Sequence, residues 1–368
     1  MATVLITSVG SLVGQNVLDA SAPYRNQLRL LGTNSFADTV SNFRCDACFL
    51  APPAARANAW RAHLRALMQA EAIDLVIPGR DADVFALASW LAEEPQYLGR
   101  FLVGSLHAAR AFQDKVDCAG FAAQSGLPFA PTVASGSPQA VSEALALYDR
   151  FADLSAAPLI AKPRAGNGSR GVRLLLQRSD VSTLALRPGY AIQPYLDPHP
   201  KLRQFVQEAR DIGVPLWFEI PERALYAAQV LIDPRGQLAG TFCFRAEMSG
   251  GRPSLVERDD SPDLAALARA YGQVFAAAGW RGACNVQAKR DPALGLLAIE
   301  TNGRFSGGTS ARSALGFDEV GMVLQQWLGI ALAPCAGSES RRVIKQLNDR
   351  VLDEAAAQQL ARLGHWRK

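Results

Sequence analysis

The stretch Leu296 to Arg312 (LLAIETNGRFSGGTSAR) constrains this chain more than any other. Leu296, Leu297, Ala298 and Ile299 read as a buried strand. Glu300 and Asn302 then stand two apart on an extended backbone, where side chains share one face. A carboxylate and an amide oxygen converging there make a hard-oxygen site of the kind that suits Mg2+, which takes few protein ligands and leaves the rest of its shell to water and phosphate. Arg304 continues the alternation. Ser306, Gly307, Gly308, Thr309 and Ser310 follow as a small-residue turn that offers backbone N–H groups and hydroxyls to an anion. Upstream, Ala283 to Lys289 (ACNVQAK) is a second apolar run with Asn285 and Gln287 two apart, and Arg290 to Gly295 places Asp, Pro and Gly between the runs. This pattern predicts a hairpin that brings Gln287 beside Glu300 and Asn302. A solvated strand edge can carry the same E-x-N pair, so the reading needs a second half elsewhere in the chain.

That half is Leu159 to Gly171. Leu159 to Lys162 (LIAK) reads as a strand, and Pro163 to Gly171 (PRAGNGSRG) follows, with Gly166, Gly168 and Gly171 spelling G-x-G-x-x-G around Ser169. Val172 to Leu176 (VRLLL) reads as another strand, so the loop joins two strands. A dinucleotide fingerprint must open a helix, which excludes that reading here. A P-loop requires Lys where this chain has Val172. A glycine-rich flap over nucleotide phosphates remains, because glycines let the backbone approach oxygens closely. Protein kinases also use such a flap, but the chain has no H-R-D or D-F-G. Lys162 ends its apolar strand within reach of phosphates, and Lys115 is a second candidate; an exposed surface charge is the ordinary reading of either. Tyr190 to Leu196 (YAIQPYL) predicts a strand turning at Pro194, whose backbone can face an adenine edge.

The remaining composition narrows the class. The 368 residues suffice for two or three units, and 49% hydrophobic with 20% charged residues is globular. Lys and Arg number 38 against 34 Asp and Glu, a net +4 without blocks of like charge, which asks for neither nucleic acid nor a membrane surface. No apolar run is long enough for a membrane span, and the N-terminus lacks a basic leader, so the cytoplasm is the expected compartment. Cys45 and Cys48 form a C-x-x-C without further zinc ligands at compact spacing, and the four histidines are mutually remote.

In chain order, strands at Thr3–Thr7, Leu28–Gly32, Leu75–Pro78 and Phe101–Gly104 alternate with helical patterns at Ala54–Ala70 and Ala82–Leu91. Alternation of this kind predicts an α/β unit with a parallel, Rossmann-like sheet over residues 1–110. Gly10 and Gly14 do not complete a dinucleotide fingerprint, which weighs against an oxidoreductase using NAD. Asn34, Arg80 and Asp81 follow strands, where open sheets bind ligands, and read equally as turn and cap residues. Further units are expected over 111–190, carrying the flap, and 191–333, carrying the hairpin, with a tail helix in 334–368. Asp197 to Glu222 is polar and proline-rich, and reads either as an acceptor-specific lid or as a surface insertion.

With a lysine strand, a glycine flap, a hinge strand and a Q…E-x-N-x-R hairpin in that order, the chain resembles the ATP-grasp superfamily, and within it single modules of the carbamoyl-phosphate synthase large-chain type. The resemblance covers roughly residues 1 to 330 and rests most on NVQ at Asn285–Gln287 and ETNGRFSGG at Glu300–Gly308. It implies a pre-ATP-grasp Rossmann-like domain followed by a two-subdomain ATP-grasp fold, with ATP and Mg2+ between the subdomains. It further implies that Lys115 and Lys162 contact phosphates, that Gly166, Gly168, Ser169 and Gly171 form the lid, and that Gln193, Tyr195 and Leu196 form the adenine hinge. Gln287, Glu300 and Asn302 would hold Mg2+. Arg304 with Lys162 would act on the transferring phosphoryl group, and Ser306, Gly307 and Arg312 would face the carboxylate substrate; a surface role for Arg312 is the alternative. The chain departs from the family pattern at Pro194, where an acidic hinge residue is usual, and near Leu225, where the ribose acid would fall; Glu219 or Glu222 could replace it. The implied activity is an ATP-dependent carboxylate–amine ligase acting through an acylphosphate on small-molecule carboxylate and amine substrates. Alternatives are a carboxyphosphate-forming module or carboxylase, and a non-catalytic ATP-binding subunit. A homodimer through the first unit follows by analogy.

Overall fold

A computed structural model of the chain describes residues 1–152, 157–166, 168–213, 220, 222–334, 339–346 and 348–368. The chain begins with β1 (Ala2–Ile6), α1 (Leu12–Ala20), β2 (Leu28–Asn34), β3 (Ala47–Leu50), α2 (Ala57–Ala70), β4 (Leu75–Ile77), α3 (Asp81–Glu93) and α4 (Leu106–Gln113). β1 pairs in parallel with β2 on one side and β4 on the other, and β3 joins β2. The near-continuous apolar strands fit a sheet covered on both faces, and their order reverses beside β1. No strand forms at Phe101–Gly104. Phe101 makes a single parallel bridge to Val76, and the chain then leaves the sheet to press Gly104 against the Gly279 carbonyl, where a Cβ would lie 2.3 Å from that oxygen.

A smaller unit follows α5 (Lys115–Gln124). It comprises β5 (Val133–Ala134), α6 (Pro138–Phe151), β6 (Leu159–Pro163), β7 (Arg173–Leu175), α7 (Arg178–Ala185) and β8 (Tyr190–Pro194), in an antiparallel sheet ordered β5-β8-β6-β7. Ser137 caps α6 by accepting from Ala140 N, and Pro138 opens the helix where its missing N–H costs nothing. The core of this unit is its own: Ala144, Leu147 and Phe151 of α6 and Val181 and Leu184 of α7 pack on Leu159, Ala161 and Ile192, with Leu294 reaching in from outside.

The chain continues with α8 (Leu202–Asp211), β9 (Leu225–Ile232), β10 (Leu238–Ser249), β11 (Arg252–Arg258), α9 (Pro262–Ala277), β12 (Gly282–Asp291), β13 (Gly295–Asn302), α10 (Thr309–Ala314), α11 (Glu319–Leu328), β14 (Arg342–Ile344), α12 (Glu354–Leu363) and β15 (His365–Arg367). Six of these strands form an antiparallel sheet ordered β13-β12-β9-β10-β11-β14. One contiguous core joins this large unit to the first: Trp90, Phe101 and Val103 belong to the same cluster as Phe112, Phe275, Trp280 and Val286.

The tail is more than the expected helix. β14 pairs with β11 at the edge of the large sheet, and β15 pairs antiparallel with β3 at the edge of the first. Each becomes the outer strand of its sheet, and at three residues apiece they leave only a short edge as a template for unwanted pairing. Leu360 of α12 is 0% exposed, and Trp366 meets Phe43 edge-on at 5.2 Å. Leu360→Ala is expected to destabilise the chain by roughly 2–5 kcal/mol through the cavity it opens. An unchanged thermal unfolding midpoint would mean that α12 contributes nothing to the packed fold.

Candidate functional site

The hairpin forms with the register its sequence predicts: Gln287 lies opposite Glu300 and Asn285 opposite Asn302. Residues directly opposed on an antiparallel ladder share a face, so these four polar side chains line one side of the sheet, with Gln229 of β9 opposite Asn285. Val286 and Ala288, fully buried on the other side, leave the polar set no alternative face. The set is internally bonded. Asn285 Nδ2 donates to Gln229 Oε1 at 3.0 Å, and Gln229 Nε2 donates to the Arg304 carbonyl at 3.4 Å.

The flap half comes to the same place. Lys162 lies opposite Ala191 and Ile160 opposite Gln193, which puts Lys162 and Gln193 on one face of the small sheet. Lys115 Nζ lies 3.6 Å from Glu300 Oε1 and donates to the carbonyl of Gly166, the first flap glycine, at 3.3 Å. Asp114 caps α5 by accepting from Val116 N, and it also receives Arg164 Nε at 2.7 Å, tying the flap's base to the start of that helix. Between the halves lies a narrow recess lined by Asp81, Lys115, Gly166, Glu300 and Asn302. The flap spans the cleft: Gly168 at φ +63° rests against Gly251 of the β10–β11 turn, where a Cβ would lie 2.6 Å from the Gly168 carbonyl. Ser169 and Gly171 also take left-handed φ values, 56° and 76°. Asn167 lies outside the described residues.

Charge is concentrated in this cleft. Burial pulls the Lys162 amine down to about 8; the Glu300 carboxylate opposes that shift, while Lys115 and Lys289 add to it. Lys289, 8% exposed, is also lowered by burial, with Glu222 and Asp197 opposing, and it donates to the Arg223 carbonyl at 2.8 Å. The sequence reading passed over Lys289, although Asn285, Gln287 and Lys289 continue one alternation. It also passed over Asp197, which bonds Arg223 at 3.1 Å.

At the hinge, Leu196 is buried and Gln193 is 1% exposed. Gln193 Nε2 donates to Thr132 Oγ1 at 3.0 Å, whereas its Oε1 has no partner among the described residues. Tyr195 packs instead with Leu202 and Val206 of α8, alongside Leu174 and Leu176. Leu174 lies opposite Ile160, so α8 leans on the same face of the small sheet that carries Lys162. The segment around α8 is therefore part of the small unit's packing rather than a bare surface insertion. Glu222 is exposed and belongs to the Lys162 and Lys289 charge cluster; Glu219 lies outside the described residues.

Three expectations on the acceptor side change. Arg304 does not project freely into the cleft: its Nε and Nη2 fork onto Asp81 at 2.7 and 2.8 Å, and Nη2 also donates to Asn302 Oδ1 at 3.1 Å. Arg312 is neither a surface residue nor an open carboxylate partner. It is fully buried and ion-paired with the equally buried Glu319, and it donates to Ser306 Oγ and Thr309 Oγ1 at 3.0 Å each. Ser306 Oγ also accepts from Gly308 N, and the Gly307 carbonyl accepts from Lys345 of the tail, so this turn is braced from within. The C-x-x-C carries no reactive thiol: burial pushes Cys45 up to about 12 and raises Cys48 as well.

No family model and no curated protein matches the sequence. Solved structures do match. A biotin carboxylase from Campylobacter jejuni in complex with β,γ-ATP is 16% identical with a TM-score of 0.62, covering 90% of this chain and 72% of that one. The N5-carboxyaminoimidazole synthetase of Staphylococcus aureus complexed with ADP gives 0.66 at 13% identity, covering 90% and 78%. An L-amino acid ligase from Bacillus licheniformis gives 0.61 at 14%, covering 89% and 74%. The fold of this chain is the ATP-grasp fold.

The buried Arg312–Glu319 pair yields a stability test. Glu319→Gln leaves a buried guanidinium without its counter-charge and is expected to cost roughly 3–5 kcal/mol, whereas Arg312→Met combined with Glu319→Leu should recover most of that loss. Denaturant unfolding of the three proteins checks it; equal stability of the single variant and the parent would show that the pair is not buried.

Proposed function

We propose that the chain is an ATP-dependent ligase that activates a small carboxylic or amino acid as an acylphosphate and joins it to an amine. The observation that carries this reading is the meeting of Lys115, Lys162 and Gly166 with Gln287, Glu300 and Asn302 across one cleft. Phosphoryl transfer asks a protein mainly for positioning and for neutralisation of charge, and these residue types supply both without a nucleophile of their own.

The donor set fits Mg2+: one carboxylate and two amide oxygens, all hard donors, on a single face. Held by Gln287, Glu300 and Asn302, the ion would neutralise the charge of phosphate oxygens. Lys115 and Lys162 hold the phosphate oxygens from the flap side. Arg304 acts as a positioning residue, because its bond to Asn302 Oδ1 uses one of that oxygen's two lone pairs and orients the other. The flap, closed onto Gly251, keeps water from the activated carboxyl group. In the reaction, a carboxylate oxygen bonds to the γ-phosphorus as the bond to ADP breaks. The amine nitrogen then bonds to the acyl carbon, phosphate leaves, and the nitrogen's proton passes to the phosphate. One matched structure is named a biotin carboxylase, so the second reading has bicarbonate as the carboxylate in the same centre.

Incubation with ATP, Mg2+ and mixed amino acids or bicarbonate should release ADP and phosphate only when a substrate is present. Tight ATP binding with no substrate-dependent release would favour a non-catalytic subunit. Glu300→Gln is expected to abolish turnover with the fold intact by circular dichroism, and near-normal activity would overturn the metal assignment. The lowered Lys162 amine gives a pH dependence with a definite sign. The cation is present below about 8 and is lost above it, so nucleotide affinity should fall as pH rises, by up to about tenfold per unit for one proton. Lys162→Met should flatten that profile in a calorimetric titration.

A further inference from the structure

The first unit holds a second recess, of about 130 Å³, at the carboxyl ends of its parallel strands. The segments following β1, β2, β3 and β4 all contribute to it, through Ser8, Ser35, Pro52 and Arg80, at the end of the sheet where open α/β folds gather ligands. Its walls differ in chemistry. Pro52 and Trp60, the latter 3% exposed, form an apolar side, and Ser8 and Asn34 form a polar one. Ser8 is held at φ 47°, a conformation that non-glycine residues rarely adopt and that clusters at functional sites.

Arg80 is the single cation of the lining. The arginine that meets the next residue is spent: Arg304 is paired with Asp81. Arg80 is exposed and has no ion pair or side-chain hydrogen bond among the described residues. It occupies the cap position of α3 without capping it. The one carboxylate of the lining, Asp83, does not claim it either: Asp83 is buried and accepts from Thr7 Oγ1 at 2.7 Å, with Arg80 acting on it only through space, and burial raises it toward its neutral form, which spares a bound anion part of its repulsion. A single guanidinium without a second cation suits a carboxylate's two oxygens better than the higher charge of a phosphate. The next residue, Asp81, lines the first recess and receives the Arg304 fork. One helical turn thus separates the two recesses.

We propose that this second recess binds a small aliphatic carboxylate, aliphatic amino acids included, with its carboxylate on Arg80 and its carbon skeleton against Pro52 and Trp60. Binding stands independently of the ligase reading; only the role of the recess as the acceptor subsite rests on that reading.

The probes are acetate, propionate and isovalerate, with alanine, valine and leucine, titrated into the full chain by calorimetry while tryptophan emission is followed. At least one should bind saturably and change the emission, since Trp60 lines the recess. Arg80→Met should weaken that binding about tenfold or more, the loss expected for a charge-assisted hydrogen bond. Arg80→Lys should restore part of it, and Ala82→Glu, at an exposed lining position, should weaken it by like charge. No saturable binding of any probe, or wild-type binding by both Arg80→Met and Ala82→Glu, overturns the proposal. Binding as expected, with no substrate-dependent ADP release under any condition, sinks the ligase reading and leaves the recess standing. ADP release that depends on one of the probes, with a KM unmoved by Arg80→Met, removes the recess from the reaction and leaves the ligase reading standing.

Discussion

The cleft is organised around an electrostatic imbalance. Lys162 and Lys289 are drawn into it from strands of two different sheets, and Lys115 joins them from the start of α5, with Glu300 as the carboxylate at the centre. Burial lowers both the Lys162 and the Lys289 amines, and at Lys162 the neighbouring cations Lys115 and Lys289 add to the shift, so holding these charges together carries a cost. A polyanion such as a triphosphate relieves it. The surrounding architecture holds these cations together around Glu300. The polar ladder of Asn285, Gln287, Glu300 and Asn302 works from the opposite direction, since its oxygens can take a cation that the lysines would repel unless phosphate lay between them.

Cohesion is distributed unevenly around this site. The first and large units share one buried core, and Arg304 adds a fork between them through Asp81. The small unit has its own core and touches the remainder through few buried side chains. Packing of that kind allows the flap-bearing unit to move as a body relative to the polar ladder of the large sheet. The glycine contact between flap and β10–β11 turn is compatible with such movement, because two backbones without Cβ atoms can approach and part without repacking side chains. Helix α8 rides with the small unit through Leu174, Leu176 and Tyr195.

The hairpin and its polar face were legible because their information is local. Glu300 and Asn302 are two apart on a strand, Asn285 and Gln287 likewise, and a short turn joins them, so period and register together fixed their common face. The flap was equally plain, since a glycine loop between two strands has few readings. What escaped the reading depends on tertiary partners. Arg304 and Asp81 are neighbours only because α3 begins against the hairpin's end, and Arg312 finds Glu319 across the turn that follows α10. No spacing rule announces either pair. The tail strands were missed for a similar reason: Arg342–Ile344 and His365–Arg367 are three residues each and become strands only through the sheet edges they join. At Phe101 the apolar pattern was real, but the close approach of Gly104 to Gly279 diverted the chain.

The Arg304 fork links these observations. Asn302 Oδ1 offers two lone pairs, and Arg304 uses one of them while Asp81 fixes the guanidinium. The direction of the remaining lone pair, and so the geometry of any ion held beside Glu300, is set by a carboxylate on the first unit rather than by the hairpin alone. Asp81 is also the residue after Arg80, on the first turn of α3. A ligand that drew Arg80 toward it would act on the same turn that anchors Arg304.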